Sequence, residues 1–182
     1  MSRFEELTKL FNPWRRNWVE QYRAHQTLPY RIARHIQNFL GCPEYFGDPN
    51  PTSGDQRHRY VSPTHAIWDN ENGFFNLQAH DDMYADVEFH EDGHFYFGLR
   101  VFLEHAPRTY PKEAFWLLYR SRFDGSRFFV TEQSSRQEFD VGFDPLILDP
   151  LAENLFERLK ADLNKSPMVV TDFDRPRKIG FV

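Results

Sequence analysis

His90-Glu91-Asp92-Gly93-His94 separates two runs of alternating apolar and polar residues, and this stretch decides the fold. The run before it reads MYADVEF (83–89), and the run after it reads FYFGLRV (95–101). Alternation with a period of two is typical of half-buried β-strands. Asp-Gly between two such runs is a strong signal for a β-hairpin. The sequence therefore predicts antiparallel sheet at the centre of the chain.

Two registers compete for this hairpin, and a shift of one residue moves every side chain to the other face. A two-residue loop at Asp92-Gly93 would mix acidic side chains into the apolar face. A three-residue loop, with Gly93 in the left-handed conformation of a bulge, makes that face wholly apolar and is the register we adopt. Its predicted pairs are Phe89–Phe95, Val87–Phe97, Ala85–Leu99 and Met83–Val101. His90 and His94 then lie directly opposite each other on the other face.

The composition indicates one domain with an aromatic core. The chain has 182 residues, 19 of them Phe, and its mean hydropathy is low at -0.69. Large aromatic side chains favour sheets and bury much area per residue. We therefore expect a Phe-rich sheet packed by helices, in a single domain over 1–182.

Charge and cysteine content restrict the partners and the compartment. The net charge of -5 argues against direct nucleic-acid binding and against attraction to anionic membranes. The single cysteine, Cys42, excludes an intramolecular disulfide and favours a reducing compartment. No N-terminal apolar run resembles a signal peptide, and no run approaches the ~18 residues of a membrane span. We expect a cytoplasmic protein.

Residues 1–41 are predicted to form a helical unit. Ser2 and Glu5 make a capping box, and apolar residues then recur at helical spacing in three segments. Pro13 is expected to start the second helix and Pro29 the third, which Gly41 ends. This organisation predicts a short helix followed by a helical hairpin. Residues 42–65 are rich in Gly and Pro and are predicted to form a long loop.

The remaining chain completes an α+β fold. Residues 66–145 are predicted to form an antiparallel meander of five or six strands, with reversals at Asn72-Gly73, Asp92-Gly93 and Asp124-Gly125. We expect a two-residue loop at the third reversal. Residues 146–166 predict a C-terminal helix, with Asp149 as its N-cap, packed on the Phe-rich sheet face. The tail, 167–182, adds an edge strand or stays outside the core.

One face of the predicted sheet mixes aromatic residues with arginines. Side chains of these types are enriched at binding hot spots, because they combine large apolar contact with directional hydrogen bonds. The alternative is that the N-terminal helices cover this face and that its aromatic residues form a second core layer. The candidate binding residues are Tyr84, Tyr96, Arg100, Trp116, Arg120 and Arg122.

The opposed histidines suggest a second type of site. His90, His94 and Glu88 share a face and could hold a divalent metal, because zinc binds imidazole nitrogen and carboxylate oxygen. The same groups could carry acid/base chemistry. The alternative is a solvated turn at the rim of the sheet, where polar residues are expected without any function.

Together these patterns favour a non-catalytic binding or regulatory module over an enzyme. It would recognise a protein partner, or a second copy of itself, through the aromatic and arginine face. A metal-assisted or acid/base enzyme centred on His90, His94 and Glu88 is the alternative, and a divalent metal is the cofactor that it would need.

Overall fold

The protein has an α+β fold, and a computed structural model describes residues 2–46, 58–79, 89–104 and 112–165. An N-terminal helix, an antiparallel sheet and a C-terminal helix follow one another along the chain, as predicted. The helices are α1 (Arg3–Leu40) and α2 (Asp149–Asn164). The strands are β1 (Tyr45–Phe46), β2 (His58–Arg59), β3 (Val61–Asp69), β4 (Phe74–Ala79), β5 (Phe95–Glu104), β6 (Lys112–Phe123), β7 (Phe128–Glu132) and β8 (Glu138–Gly142).

The main sheet has six strands in the order β4-β3-β5-β6-β7-β8, and every neighbouring pair is antiparallel. The strands from β5 to β8 form the predicted meander. The hairpin of β3 and β4 is added at the β5 edge, with β3 innermost. Because β3 begins at Val61 and the two short strands β1 and β2 precede it, the predicted loop over 42–65 is only partly correct.

The central hairpin keeps its predicted register at the turn. Phe89 pairs with Phe95, and the His90 N–H donates to the His94 carbonyl oxygen at 2.9 Å. Gly93 has a φ of 77°, the left-handed conformation that the three-residue loop requires.

The predicted pairs farther from this turn, Val87–Phe97, Ala85–Leu99 and Met83–Val101, involve residues outside those that the structure describes, and β5 has a described partner strand on each side. β3 pairs with one edge, where His65, Pro63 and Val61 face Phe97, Leu99 and Val101, and β6 pairs with the other. Residues 80–88 lie outside the described residues. Local alternation shows that a strand is half-buried and does not show which distant strand pairs with it.

The hairpin of β6 and β7 also differs in register from the prediction. Phe123 pairs with Phe128, so the loop contains four residues instead of two. Asp124 explains the wider loop, since its Oδ1 accepts hydrogen bonds from the N–H groups of Ser126 and Arg127 at 2.9 and 3.0 Å. A shift by two residues leaves each side chain on its predicted face.

The N-terminal segment is one continuous helix of 38 residues rather than a helical hairpin. Pro13 and Pro29 both lie inside it, and neither ends it. Pro29 is buried beside Leu28 and Ile32, so that its ring contributes to the core although its missing N–H removes one helical hydrogen bond. The predicted capping box of Ser2 and Glu5 is present.

Both helices belong to one core on one face of the sheet. The C-terminal half of α1 and the apolar stripe of α2 are buried in the same cluster as the inward side chains of β5 to β8. Leu148 rather than Asp149 is the N-cap of α2, and the Asp149 carboxylate lies 2.9 Å from His35 Nε2 on α1. In the described parts of the chain, neither helix has the length and apolar character that crossing a membrane requires.

Candidate binding surfaces

The predicted binding residues lie on the sheet face opposite the core, on two neighbouring strands. Tyr96 of β5 pairs with Arg120 of β6, and Arg100 pairs with Trp116. Arg122 follows on β6 and pairs with Phe129 of β7. The sheet therefore brings five of the six predicted residues onto one surface. The sixth, Tyr84, lies outside the described residues.

Arg100 makes its contacts within the sheet. Its guanidinium carbon lies 4.8 Å from the centre of the Phe102 ring and 5.4 Å from that of Trp116. Its Nε donates to Ser62 Oγ at 3.3 Å. These contacts occupy much of the Arg100 guanidinium, which a partner would otherwise bind. Trp116 itself stays 40% exposed.

Arg122 is also paired on its own surface. It donates two hydrogen bonds to the Glu138 carboxylate, at 3.1 and 2.9 Å, and its guanidinium carbon lies 3.8 Å from the Phe129 ring centre. The hydrogen bonds from Arg122 lower the pKa of the Glu138 carboxyl group. A bidentate pair of this kind stabilises the edge of the sheet and leaves little of Arg122 for recognition.

Strand β4 covers part of the same face. Phe75 stacks on Tyr96 with ring centres 4.2 Å apart, although the two strands are separated by β3. Gly98 permits this approach, because a Cβ atom there would meet Thr64 Oγ1 and the Leu77 side chain. The alternative interpretation required the N-terminal helices to cover this face. The N-terminal helix packs on the other face of the sheet. The edge strand β4 covers part of this face instead.

At the rim of this face, Asp92 organises the hairpin turn. Its carboxylate accepts hydrogen bonds from the Tyr96 hydroxyl at 2.8 Å and from the His94 N–H at 3.0 Å. The Nδ1 atoms of His90 and His94 lie 3.6 and 3.3 Å from its oxygens. Burial alone would raise the pKa of Asp92, but the hydrogen bonds from His94 and Tyr96 lower it overall.

The two histidines flank the hairpin turn, and the ring of His90 packs among aromatic side chains. The His90 ring lies edge-on to three aromatic rings, with centroid distances of 5.2 Å to Trp68 and 5.6 Å to Phe75 and to Tyr96. Within the described residues, no group of three or more His, Cys, Asp and Glu side chains is arranged to hold a metal ion. Glu88, the third predicted ligand, lies outside them. The His94 Nδ1 lies within hydrogen-bond distance of the Asp92 carbonyl oxygen, at 3.2 Å, whereas the His90 Nδ1 has no hydrogen-bond partner among the described residues.

Within the part of the chain that the structure describes, the longest row of exposed apolar side chains is on α1. Every residue from 2 to 18 is exposed, and we call residues 3–18 the arm. Five large side chains on one side of the arm form what we call the apolar stripe. They are Phe4, Leu7, Phe11, Trp14 and Trp18, with exposed fractions of 78%, 64%, 51%, 60% and 50%. Leu10, 67% exposed, flanks them.

The apolar stripe continues into the core at the other end of the same helix. His25 is the first fully buried residue of α1, and Leu28, Ile32 and Ile36 follow it on the buried side. The His25 ring lies edge-on to the rings of Phe89, Phe95, Phe123 and Phe128. One helix thus uses its C-terminal half to hold the sheet and presents apolar side chains to solvent along its N-terminal half.

Sequence reasoning missed Asp92 and the apolar stripe as parts of a site. The sequence contains a signal for Asp92, because an Asp in a turn commonly accepts a hydrogen bond from the backbone N–H two residues later, here that of His94. The spacing of the stripe, alternately three and four residues, also continues through Pro13. Periodicity shows that one side of a helix is apolar and does not show that this side is buried.

Comparison of the chain with protein-family models, with curated proteins and with solved structures finds no match.

Proposed function

We propose that the protein is a non-catalytic binding module that docks another polypeptide helix on the apolar stripe of α1. The observation that carries the proposal is the exposure of five large apolar side chains in one contiguous row. Single exposed apolar residues are common on protein surfaces. A contiguous row of them marks an interface.

The free energy available from burying the stripe is large enough for a stable interface. Complete burial of one such side chain contributes about 1.5–3 kcal/mol. Because 50–78% of each of the five is exposed, burying them contributes about 5–9 kcal/mol, which is comparable to the cost of about 4–15 kcal/mol in the lost freedom of two associating molecules. The sheet face contributes less in this proposal, because Arg100 and Arg122 are already paired within it.

The arm also needs a partner for its own stability. Short helices without tertiary packing are marginal in water, and an internal proline costs a helix about 3 kcal/mol. Residues 2–18 are all exposed and contain Pro13. A second helix packed along the stripe would supply the contacts that the rest of the described chain does not.

Photo-crosslinking tests the proposal in the cells that express the protein. A photoreactive residue at Leu7 lies in the stripe, whereas the matched control at Arg16 lies on the opposite side of the helix. We expect a defined polypeptide adduct from position 7 and little from position 16. Absence of any polypeptide adduct from position 7, with the folded protein present, would contradict the proposal.

A further inference from the structure

We infer that His25 is a pH-sensitive switch at the point where α1 joins the core. As a neutral ring it holds this part of α1 on the sheet, and on protonation it leaves the sheet together with the helical turn around it, so that α1 bends before Pro29. This inference goes beyond the proposed function and does not depend on what binds the apolar stripe.

His25 lies at the boundary between two halves of α1 that have different surroundings. Residues 2–18 are all exposed, whereas His25 is 2% exposed and is the first buried residue of the helix. Before it, Tyr22 and Ala24 pack partly against the core. Removal of the His25 ring from the core would therefore release the arm and the turn that follows it from their first fully buried contact with the sheet.

The pocket around His25 suits a neutral imidazole and not a charged one. The ring lies edge-on to four aromatic rings at centroid distances from 4.8 to 6.4 Å, and these rings belong to Phe89, Phe95, Phe123 and Phe128. The Nδ1 atom donates to the Gln21 carbonyl oxygen at 2.9 Å, so the neutral ring has no proton on Nε2. Nε2 is buried and has no hydrogen-bond partner among the described residues. Protonation would place both a charge and an unsatisfied N–H among apolar rings, which disfavours the buried position.

Among the described residues, no charged side chain faces the ring to offset this cost. On α1, Glu20 and Arg23 are exposed, and the Tyr22 ring stacks on Trp18. The ionisable neighbours of the four Phe residues in the sequence make contacts elsewhere: His90 and His94 lie beside Asp92, Arg122 pairs with Glu138, and Arg127 pairs with Asp124 and Asp140. Burial therefore lowers the pKa of His25, and the hydrogen bond to Gln21 opposes this effect only in part.

Pro29 weakens the helix next to His25. In an α-helix, the N–H of residue 29 would donate to the carbonyl oxygen of residue 25, and proline has no N–H. The helix therefore lacks one hydrogen bond at the point where we expect it to bend.

The sheet does not need to unfold when the ring leaves. Among the described residues, no hydrogen bond ties the His25 ring to the sheet, because its hydrogen bond goes to Gln21 on its own helix. The strand pairs β5–β6 and β6–β7 hold three of the four Phe residues in place independently of α1. Opening at His25 is therefore a local event.

Acidification should increase the population of the open form. The released ring titrates at the ordinary pKa of 6.5 and the buried ring below it, so proton binding favours the open form once the pH falls below 6.5. Between pH 7.5 and pH 5.5 the open population should rise by up to about tenfold.

Backbone hydrogen exchange, measured by nuclear magnetic resonance at pH 7.5, 6.5 and 5.5 and divided by the intrinsic exchange rates, tests the switch. We expect the amides of residues 25–28 to exchange faster than those of β6 at every pH, with rates that rise by up to about tenfold at pH 5.5. Low concentrations of urea should accelerate them little, because a local opening exposes little surface, but should accelerate the amides of β6 strongly. The amides of residues 33–36, beyond the bend, should behave like those of β6.

Variants separate His25 from the other histidines. His25→Phe keeps an aromatic ring that cannot be protonated and should remove the rise at low pH, and His25→Leu serves the same purpose with a smaller side chain. His35→Gln, on the same helix, should keep the rise. If residues 25–28 exchange with the same rates and urea dependence as β6, the ring is released only by global unfolding and the inference is overturned. A rise that persists in both His25 variants would overturn it as well.

Discussion

At the scale of single residues, the best-defined chemistry is structural. His25 lies among four Phe rings, and its Nδ1 donates to the Gln21 carbonyl oxygen at 2.9 Å. Asp92 ties the central turn to Tyr96 and His94. In both cases a polar group in an aromatic setting fixes local geometry, so that each substitution should act on stability.

His25 should make folding stability depend on pH near neutrality. Burial lowers its pKa below the ordinary value of 6.5, so the unfolded chain binds the proton first as the pH falls. Stability is then full above pH 6.5 and declines below it, by at most about 1.4 kcal/mol per pH unit, until the pH reaches the lowered pKa. His25→Phe should remove this decline in urea titrations at several pH values, whereas His35→Gln should keep it. An unchanged pH profile in His25→Phe would contradict the burial of a neutral imidazole.

Asp92 should stabilise the hairpin turn more than Glu91 does. Asp92→Ala removes two hydrogen-bond acceptors and should lower the free energy of unfolding by about 1–2 kcal/mol. Asp92→Asn keeps an acceptor and should lose less. Glu91→Ala, one residue away and exposed, should change it by under about 0.5 kcal/mol. Equal effects at the two positions, measured by urea unfolding, would indicate a merely solvated turn.

At the scale of elements, buried charge links α2 to the sheet. Glu132 is 1% exposed, and its carboxylate accepts hydrogen bonds from the N–H groups of Ser134 and Ser135, at 3.2 and 2.8 Å, and pairs with Arg158 of α2. Glu138 pairs with Arg122 in the open. The two glutamates therefore form a matched comparison.

Removal of the buried glutamate should cost far more than removal of the exposed one. Glu132→Ala removes the buried carboxylate that Arg158 and the Ser134 and Ser135 N–H groups bind, and it should destabilise the protein by about 3 kcal/mol. Glu138→Ala should cost under about 1 kcal/mol, because exposed ion pairs contribute little. Thermal or urea unfolding of both variants measures the difference, and similar losses would refute the linking role of Glu132.

The continuity of α1 through Pro13 can be tested in the same way. In a continuous helix, Pro13→Ala removes a helix-breaking residue and should raise the helical circular dichroism signal. If Pro13 instead starts a separate helix, where proline is favoured, the substitution should bring no gain. An unchanged or lower helical signal in the variant would contradict the continuous helix.

Local patterns in the sequence predicted local geometry. The Asp92-Gly93 turn and the Phe89–Phe95 pair followed from a glycine that needs a positive φ and from strict alternation. The pairing of β5 with β3 could not be predicted, because His65 and Phe97 are far apart in the chain. The Asp124 loop widened through side-chain hydrogen bonds that alternation does not encode.

The candidate site was predicted less well than the fold. The sheet face exists, but whether an arginine there is free depends on partners such as Glu138 and Phe129, which only the register reveals. The spacing of the apolar residues in the sequence indicates the stripe, but Pro13 indicates that the helix ends in the middle of it. Exposure of Trp14 depends on where the sheet lies relative to the helix, and periodicity alone does not fix that.

At the scale of the whole molecule, α1 gives the protein its shape. A helix of 38 residues is about 57 Å long, and its first half carries the apolar stripe away from the sheet. The central claim is therefore that this stripe is a docking surface for another polypeptide helix.

Photo-crosslinking along the arm tests this claim most directly. Photoreactive residues at Leu7 and Trp14 lie in the stripe, and photoreactive residues at Lys9 and Arg16 lie on the opposite side of the helix. A helix docked on the stripe predicts a defined polypeptide adduct from positions 7 and 14 and little from positions 9 and 16. Equal adducts from the two sides, or none from the stripe with the folded protein present, would contradict the account.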